Sequence, residues 1–231
     1  MMNLKKLTYL SIAVGAFVVG MSPAHAGPMQ VDLSSADGSI TIVDGSAGDI
    51  WHSLGAGVAD GKIVFAGSLG AWVLNVETAV DNSNSSFADI HLSSSNSYNG
   101  TGAANVLTVT LTSTLLSNPN DLTANGVSDV GGTLGNGAGA SFVTKLNGGT
   151  EASLGAFGLG GAFSGSAAFP ADTFTTNPFT LTNIGTLTAT QGVASTSSFD
   201  FNTTVVPEPV TLGLLGLGLL GLGFARRRIA A

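Results

Sequence analysis

Thr108-Val109-Thr110-Leu111-Thr112 alternates hydroxyl and apolar side chains residue by residue, and Thr186-Leu187-Thr188-Ala189-Thr190 repeats the pattern. In an extended strand successive side chains point to opposite faces, so each stretch lays its threonines on one face and its apolar residues on the other. The same period near two recurs at 39–43, 62–66, 71–76, 106–111, 141–146, 179–190 and 198–205. Turn-forming clusters separate these runs, among them Asp44-Gly45-Ser46, Asp60-Gly61, Asn99-Gly100, Asn118-Pro119-Asn120 and Gly131-Gly132. About eight to twelve short strands punctuated in this way predict an all-β domain, an antiparallel β-sandwich or jelly-roll-like fold. Two stretches fit less well. Residues 122–139 hold too many glycines for a clear strand, and residues 148–170 read as either two weak strands or a loop carrying the evenly spaced Phe157, Phe163 and Phe169.

Outward from this domain lie two membrane-directed ends. Lys5 and Lys6, an apolar run over 7–21, Ser22-Pro23 and Ala24-His25-Ala26 have the layout of a secretory signal peptide over 1–26, with processing before Gly27. At the other end, Pro207-Glu208-Pro209 precedes an uncharged stretch over 210–225 and then Arg226-Arg227-Arg228. The prolines hold their neighbours extended and forbid a helix before Pro209. The apolar stretch makes a helix of about 24 Å, slightly short of a bilayer core of about 30 Å, a deficit that local thinning and snorkelling arginines cover. Five glycines within it would weaken a helix in water by about 1 kcal/mol each, which favours the membrane over a soluble core. The arginines act as a stop signal that keeps the last residues cytoplasmic and the 27–204 domain outside.

Pro207-Glu208-Pro209, the Leu/Gly-rich span and the Arg cluster, in this order over 205–231, resemble the PEP-CTERM sorting signal of exopolysaccharide-producing Gram-negative bacteria. The same tail also goes by the name of an ice-binding protein C-terminal domain, which describes the tail and implies no ice binding. The resemblance implies export, transient anchoring through the C-terminal transmembrane helix, cleavage near Pro-Glu-Pro by an exosortase, a membrane-embedded cysteine protease, and delivery to the cell surface or extracellular matrix.

Between Asp32 and Asp200 thirteen acids face only Lys62 and Lys145, a net of −11 that repels nucleic acid and anionic lipid. The chain has no cysteine, which excludes thiol chemistry, Cys-based zinc sites and disulfides. His52 and His91 have no ligand spacing, and His91, between Ile90 and Leu92, points away from the apolar face. Calcium is the candidate ion, because Asp37, Asp44, Asp49, Asp60, Asp81 and Asp89 fall in or beside turns. The loop from Asp81 nevertheless lacks the glycine and glutamate of an EF-hand, and solvated turn acids account for the pattern better than a structural calcium site does. No catalytic residues stand out: there is no Gly-x-Ser-x-Gly elbow or Walker loop, and the acids are scattered. The residues therefore predict a non-catalytic surface or matrix protein. A glycan-binding module, with or without calcium, is the alternative. The threonine ladders offer a flat hydroxyl array to a glycan or to ice, although the ordinary β-propensity of solvent-facing threonine explains them better, and Trp51 and Trp72 are too few for a sugar platform.

Overall fold

The structure, a computed structural model, describes residues 26–51, 59–83, 87–101, 106–115, 124–158, 160–170 and 179–207. The signal peptide apart from Ala26, His52, Glu208, Pro209, the span over 210–225 and Arg226 to Arg228 lie outside the described residues. No helix among the described residues is long and apolar enough to cross a membrane.

Among the described residues, twelve strands form two six-stranded antiparallel sheets. The strands are β1 (Ala26–Ser35), β2 (Gly38–Val43), β3 (Lys62–Leu69), β4 (Trp72–Asp81), β5 (Ala88–Tyr98) and β6 (Val106–Leu115). They continue with β7 (Ala124–Leu134), β8 (Gly139–Leu146), β9 (Gly149–Gly158), β10 (Gly161–Pro170), β11 (Phe179–Thr188) and β12 (Ser195–Pro207). Sheet A has the order β2-β1-β6-β11-β8-β9 and sheet B the order β10-β7-β12-β5-β4-β3. Strands next to each other in sequence face each other across the core: β2 opposite β3, β6 opposite β5, β11 opposite β12, β8 opposite β7 and β9 opposite β10. The eight strands from β5 to β12 thus run in jelly-roll order, and β1 to β4 widen both sheets on one side.

Alternation decides which face is buried. Along β5, Ala88, Ile90, Leu92, Ser94, Asn96 and Tyr98 are buried, while Asp89, His91, Ser93, Ser95 and Ser97 face outward. The centre of the core is aromatic. Phe142 of β8 meets Phe199 and Phe201 of β12 edge-on, with centroids at 5.1 and 5.3 Å, and stacks on Phe163 of β10 at 5.7 Å. The Phe199 ring fills the space a side chain would take at Gly185, where a Cβ would lie 2.8 Å from its Cζ.

The two ambiguous stretches are strands. Residues 122–139 contain β7, held between β10 and β12, and residues 148–170 contain β9 and β10. Their glycines make room for rings rather than for mobility: a Cβ on Gly165 would approach Phe157 to 2.9 Å. Phe157, Phe163 and Phe169 all pack on the core. Asn147 and Gly148 both have positive φ (49° and 83°) and join Leu146 to its partner Gly149, so β8 and β9 form a two-residue hairpin of the I′ kind that Asn-Gly favours.

Candidate functional site

The threonines of the two ladders come together. β6 and β11 are neighbours in the middle of sheet A, with Thr108 opposite Thr186, Thr112 opposite Thr182 and Thr114 opposite Thr180. Thr110 faces Ile184, which interrupts the hydroxyls on that row. Leu107, Val109, Leu111 and Leu181 are buried on the other face, so these threonines stand on the outer surface, half-buried by their neighbours. The rows extend sideways. Ser39, Ser34, Thr108, Thr186 and Ser141 align across five strands, and Thr41, Asp32 and Thr110 align in the next row. Thr112 and Thr182 bring their hydroxyls to 3.4 Å. Spacing along the strands is about 6.6 to 6.8 Å between rows, and about 4.8 Å between strands. The face is close to neutral: Asp32, bonded to Gln30 and Thr41, and Lys145, opposite Thr182, are the charges within these rows. Of Thr186 to Thr190, the first three residues belong to β11; Thr190 lies beyond it and donates its hydroxyl to the Gly137 carbonyl.

The outer face of sheet B has the opposite character. Asp89 and His91 of β5, Asp200 of β12 and Asp129 of β7 all point outward there. His91 points away from the apolar face, as its alternation predicts, and its Nε2 pairs with the Asp200 carboxylate. Asp89 accepts from Thr204 Oγ1 at 2.9 Å and Asn82 Nδ2 at 3.2 Å.

The turn acids tie down loops. Asp44 is buried after β2 and accepts the backbone N–H of Gly61 at 2.8 Å and of Asp60 at 3.3 Å. Burial, together with the nearby Asp60 and Asp49, pushes its carboxyl above the ordinary aspartate range, and the two backbone donors offset part of that rise. Asp49, also buried, accepts from Trp51 N and Val64 N, each at 3.0 Å. Asp60 accepts the Trp51 indole N–H at 3.0 Å, and Lys62 Nζ stands 3.7 Å above that indole ring. Asp37 accepts from Ala71 N at 3.3 Å, and Asp81 accepts from Ser83 N at 2.8 Å and from Ser113 Oγ. Among the described residues no group of three or more acidic or histidine side chains is placed to hold a metal ion. Trp72 is in the core, its ring 5.2 Å from that of Tyr98.

A buried polar cluster escaped the sequence reading. Ser128 of β7, Thr144 of β8, Asn183 of β11 and Thr203 of β12 are fully buried between the sheets. Thr203 and Thr144 hydroxyls donate to Asn183 Oδ1 at 2.7 and 3.2 Å, and Ser128 lies 2.7 Å from Thr144. Its signal was a polar residue at an inward position among apolar ones in each of these four strands.

The last strand runs into the tail. β12 sits between β7 and β5, Val205 is buried opposite Ala88, and Pro207 is paired with Ala124. A boundary at 204/205 therefore cuts the strand, and the first proline of the sorting segment is its final residue.

No curated protein matches the chain. Among solved structures, a Stig cyclase, Fisc, from Fischerella sp. TAU in complex with an indole compound has a TM-score of 0.33 at 11% identity, over 66% of this chain and 92% of that one. An apo form cyclase from Fischerella sp. has a TM-score of 0.33 at 10% identity, over 66% and 91%. A PA14 sugar-binding domain from an RTX adhesin has a TM-score of 0.31 at 12% identity, over 77% and 90%. Likeness at this level carries no argument about ligand or activity. Residues 205–228 match the PEP-CTERM protein-sorting motif, a motif that implies export, processing by an exosortase and membrane-associated sorting toward the cell surface.

Proposed function

We propose that this is a non-catalytic structural protein of the extracellular matrix or biofilm of a Gram-negative bacterium. In this reading the signal peptide exports it, the C-terminal transmembrane helix holds it briefly, and the sandwich enters the exopolysaccharide after cleavage. The sorting motif at 205–228 carries the proposal. An alanine replacement of Pro207, Glu208 and Pro209 tests it: wild-type protein is expected in the matrix fraction and the variant in the membrane fraction, whereas identical distributions would contradict the reading.

The threonine face of sheet A favours a second role, binding of a neutral glycan. Rows of hydroxyls at regular spacing match the donors and acceptors of a sugar chain, while the acidic face of sheet B repels acidic ones. Co-sedimentation of the released protein with the producer's own polysaccharide is the assay. Changing Thr108, Thr112, Thr182 and Thr186 to valine should weaken retention by roughly tenfold, from several lost hydrogen bonds of about 0.5–1.5 kcal/mol each, tempered by non-additivity. Retention unchanged in that variant would remove the face from the account. A structural calcium ion, if the domain uses one, would appear in the same assay as a loss of retention with a chelator.

A further inference from the structure

An open sandwich has four sheet edges, and an exposed edge of unpaired backbone groups invites another strand unless something blunts it. Three of the four edges here carry such a device. β2 is only six residues long. β3 carries Lys62 and an irregularity between Phe65 and Gly67, and β9 carries Glu151 and two breaks in register. β10 has none of these, and its one edge-blunting residue, Pro170, stands at its very end. It pairs with β7 over ten residues, Gly161 to Pro170, with no shift in register and with no charged side chain. Its outward residues Ala162, Ser164, Ser166 and Ala168 are exposed, and no strand among the described residues pairs with its other side.

We propose that β10 is a self-association edge, at which a second copy of this chain adds its own β10 antiparallel and joins two copies of sheet B into one twelve-stranded sheet. Charge selects a copy of the same edge as the occupant. The domain is strongly acidic and repels itself elsewhere, while β10 contributes no charge. The closest acid in the register is Asp129 on the next strand inward, opposite Ser166. Across the seam two copies of Asp129 lie at least about 14 Å apart, three strand spacings, which exceeds the screening length of about 8 Å at physiological ionic strength.

Side-chain size selects the register. Outward residues must oppose outward residues for the faces to stay continuous. Pairing about Gly165 meets this condition and sets Ser164 against Ser166 of the other copy and Ala162 against Ala168. On the inner face it sets Phe163 against Ala167, a large ring beside a small residue, and both already pack on the core. The arrangement is isologous and closes as a dimer.

The absence of cysteine gives a clean test on the full chain. Ser164→Cys and Ser166→Cys are made in separate chains and oxidised alone and mixed. The mixture alone should form a disulfide-linked dimer, at least tenfold more than either variant, because Ser164 opposes Ser166. In that register the two Ser164 positions are diagonal, about 8 Å apart by Cα, too far to bridge. Equal cross-linking in Ser164→Cys alone would overturn the pairing about Gly165. Absence of cross-linking in the mixture, with both thiols still reactive to maleimide, would overturn the edge itself.

Discussion

Asn183 carries its amide into the middle of the sandwich, where Oδ1 accepts from Thr144 and Thr203 while Nδ2 has no partner. Buried polar groups are costly unless bonded, so each hydroxyl that reaches Oδ1 offsets part of that cost. Thr203→Val removes the shorter of the two bonds at nearly constant volume and also strips Ser128 and Thr144 of a neighbour. It should lower stability by about 1–3 kcal/mol, seen as a lower urea midpoint at unchanged slope. An unchanged midpoint would show the cluster to be energetically idle. Asp44 makes a pH-dependent prediction of definite sign. Its carboxyl titrates higher in the folded protein than in the unfolded chain, chiefly through burial. Its contribution is therefore fully present below the unfolded value of about 3.9 and is lost as pH rises through the folded value. The advantage of wild type over Asp44→Asn in Tm should be greater near pH 4 than at pH 7. Thermal unfolding at both pH values checks it, and an advantage that grows toward neutrality would contradict the assignment.

At the scale of elements, strands with clean alternation were legible and strands rich in glycine were not. β6, β8 and β11 alternate throughout, and their inward and outward sets are the ones the period of two gives, whereas of β5 only the alternation at Ile90 to Leu92 was legible. β7 and β10 owe their extended form to partners distant in sequence, β7 to β12 and β10, and β10 to β7, while glycine-rich β9 is held by its hairpin partner β8. A single sequence does not show that Gly165 and Gly185 are glycine because rings from other strands occupy the space beside them. The hairpin at Asn147-Gly148 was legible in principle, since Asn-Gly between two strands is a strong local signal. The threonine ladders were visible as stripes. Their convergence into one face was not, because the pairing of β6 with β11 spans the intervening four strands. Gly185→Ala tests the packing account: with Phe199 Cζ 2.8 Å from the added Cβ, the variant should lose about 1–3 kcal/mol. A neutral result would mean that the aromatic centre yields without strain.

The whole molecule has one neutral, hydroxyl-bearing face, one acidic face and a last strand that ends on the first proline of the sorting motif. Only Glu208 and Pro209 separate that strand from the apolar stretch at 210–225 in the sequence. In the proposed reading the domain is held close to the membrane until the tail is cut, and release would free both faces at once. The intact mass of the protein from the culture medium and from the membrane fraction tests this most directly. The account predicts a released species beginning near Gly27 and ending near Pro207, and its loss when Pro207, Glu208 and Pro209 are replaced by alanine. A full-length tail that persists in the membrane fraction, with no shortened species in the medium, would contradict it.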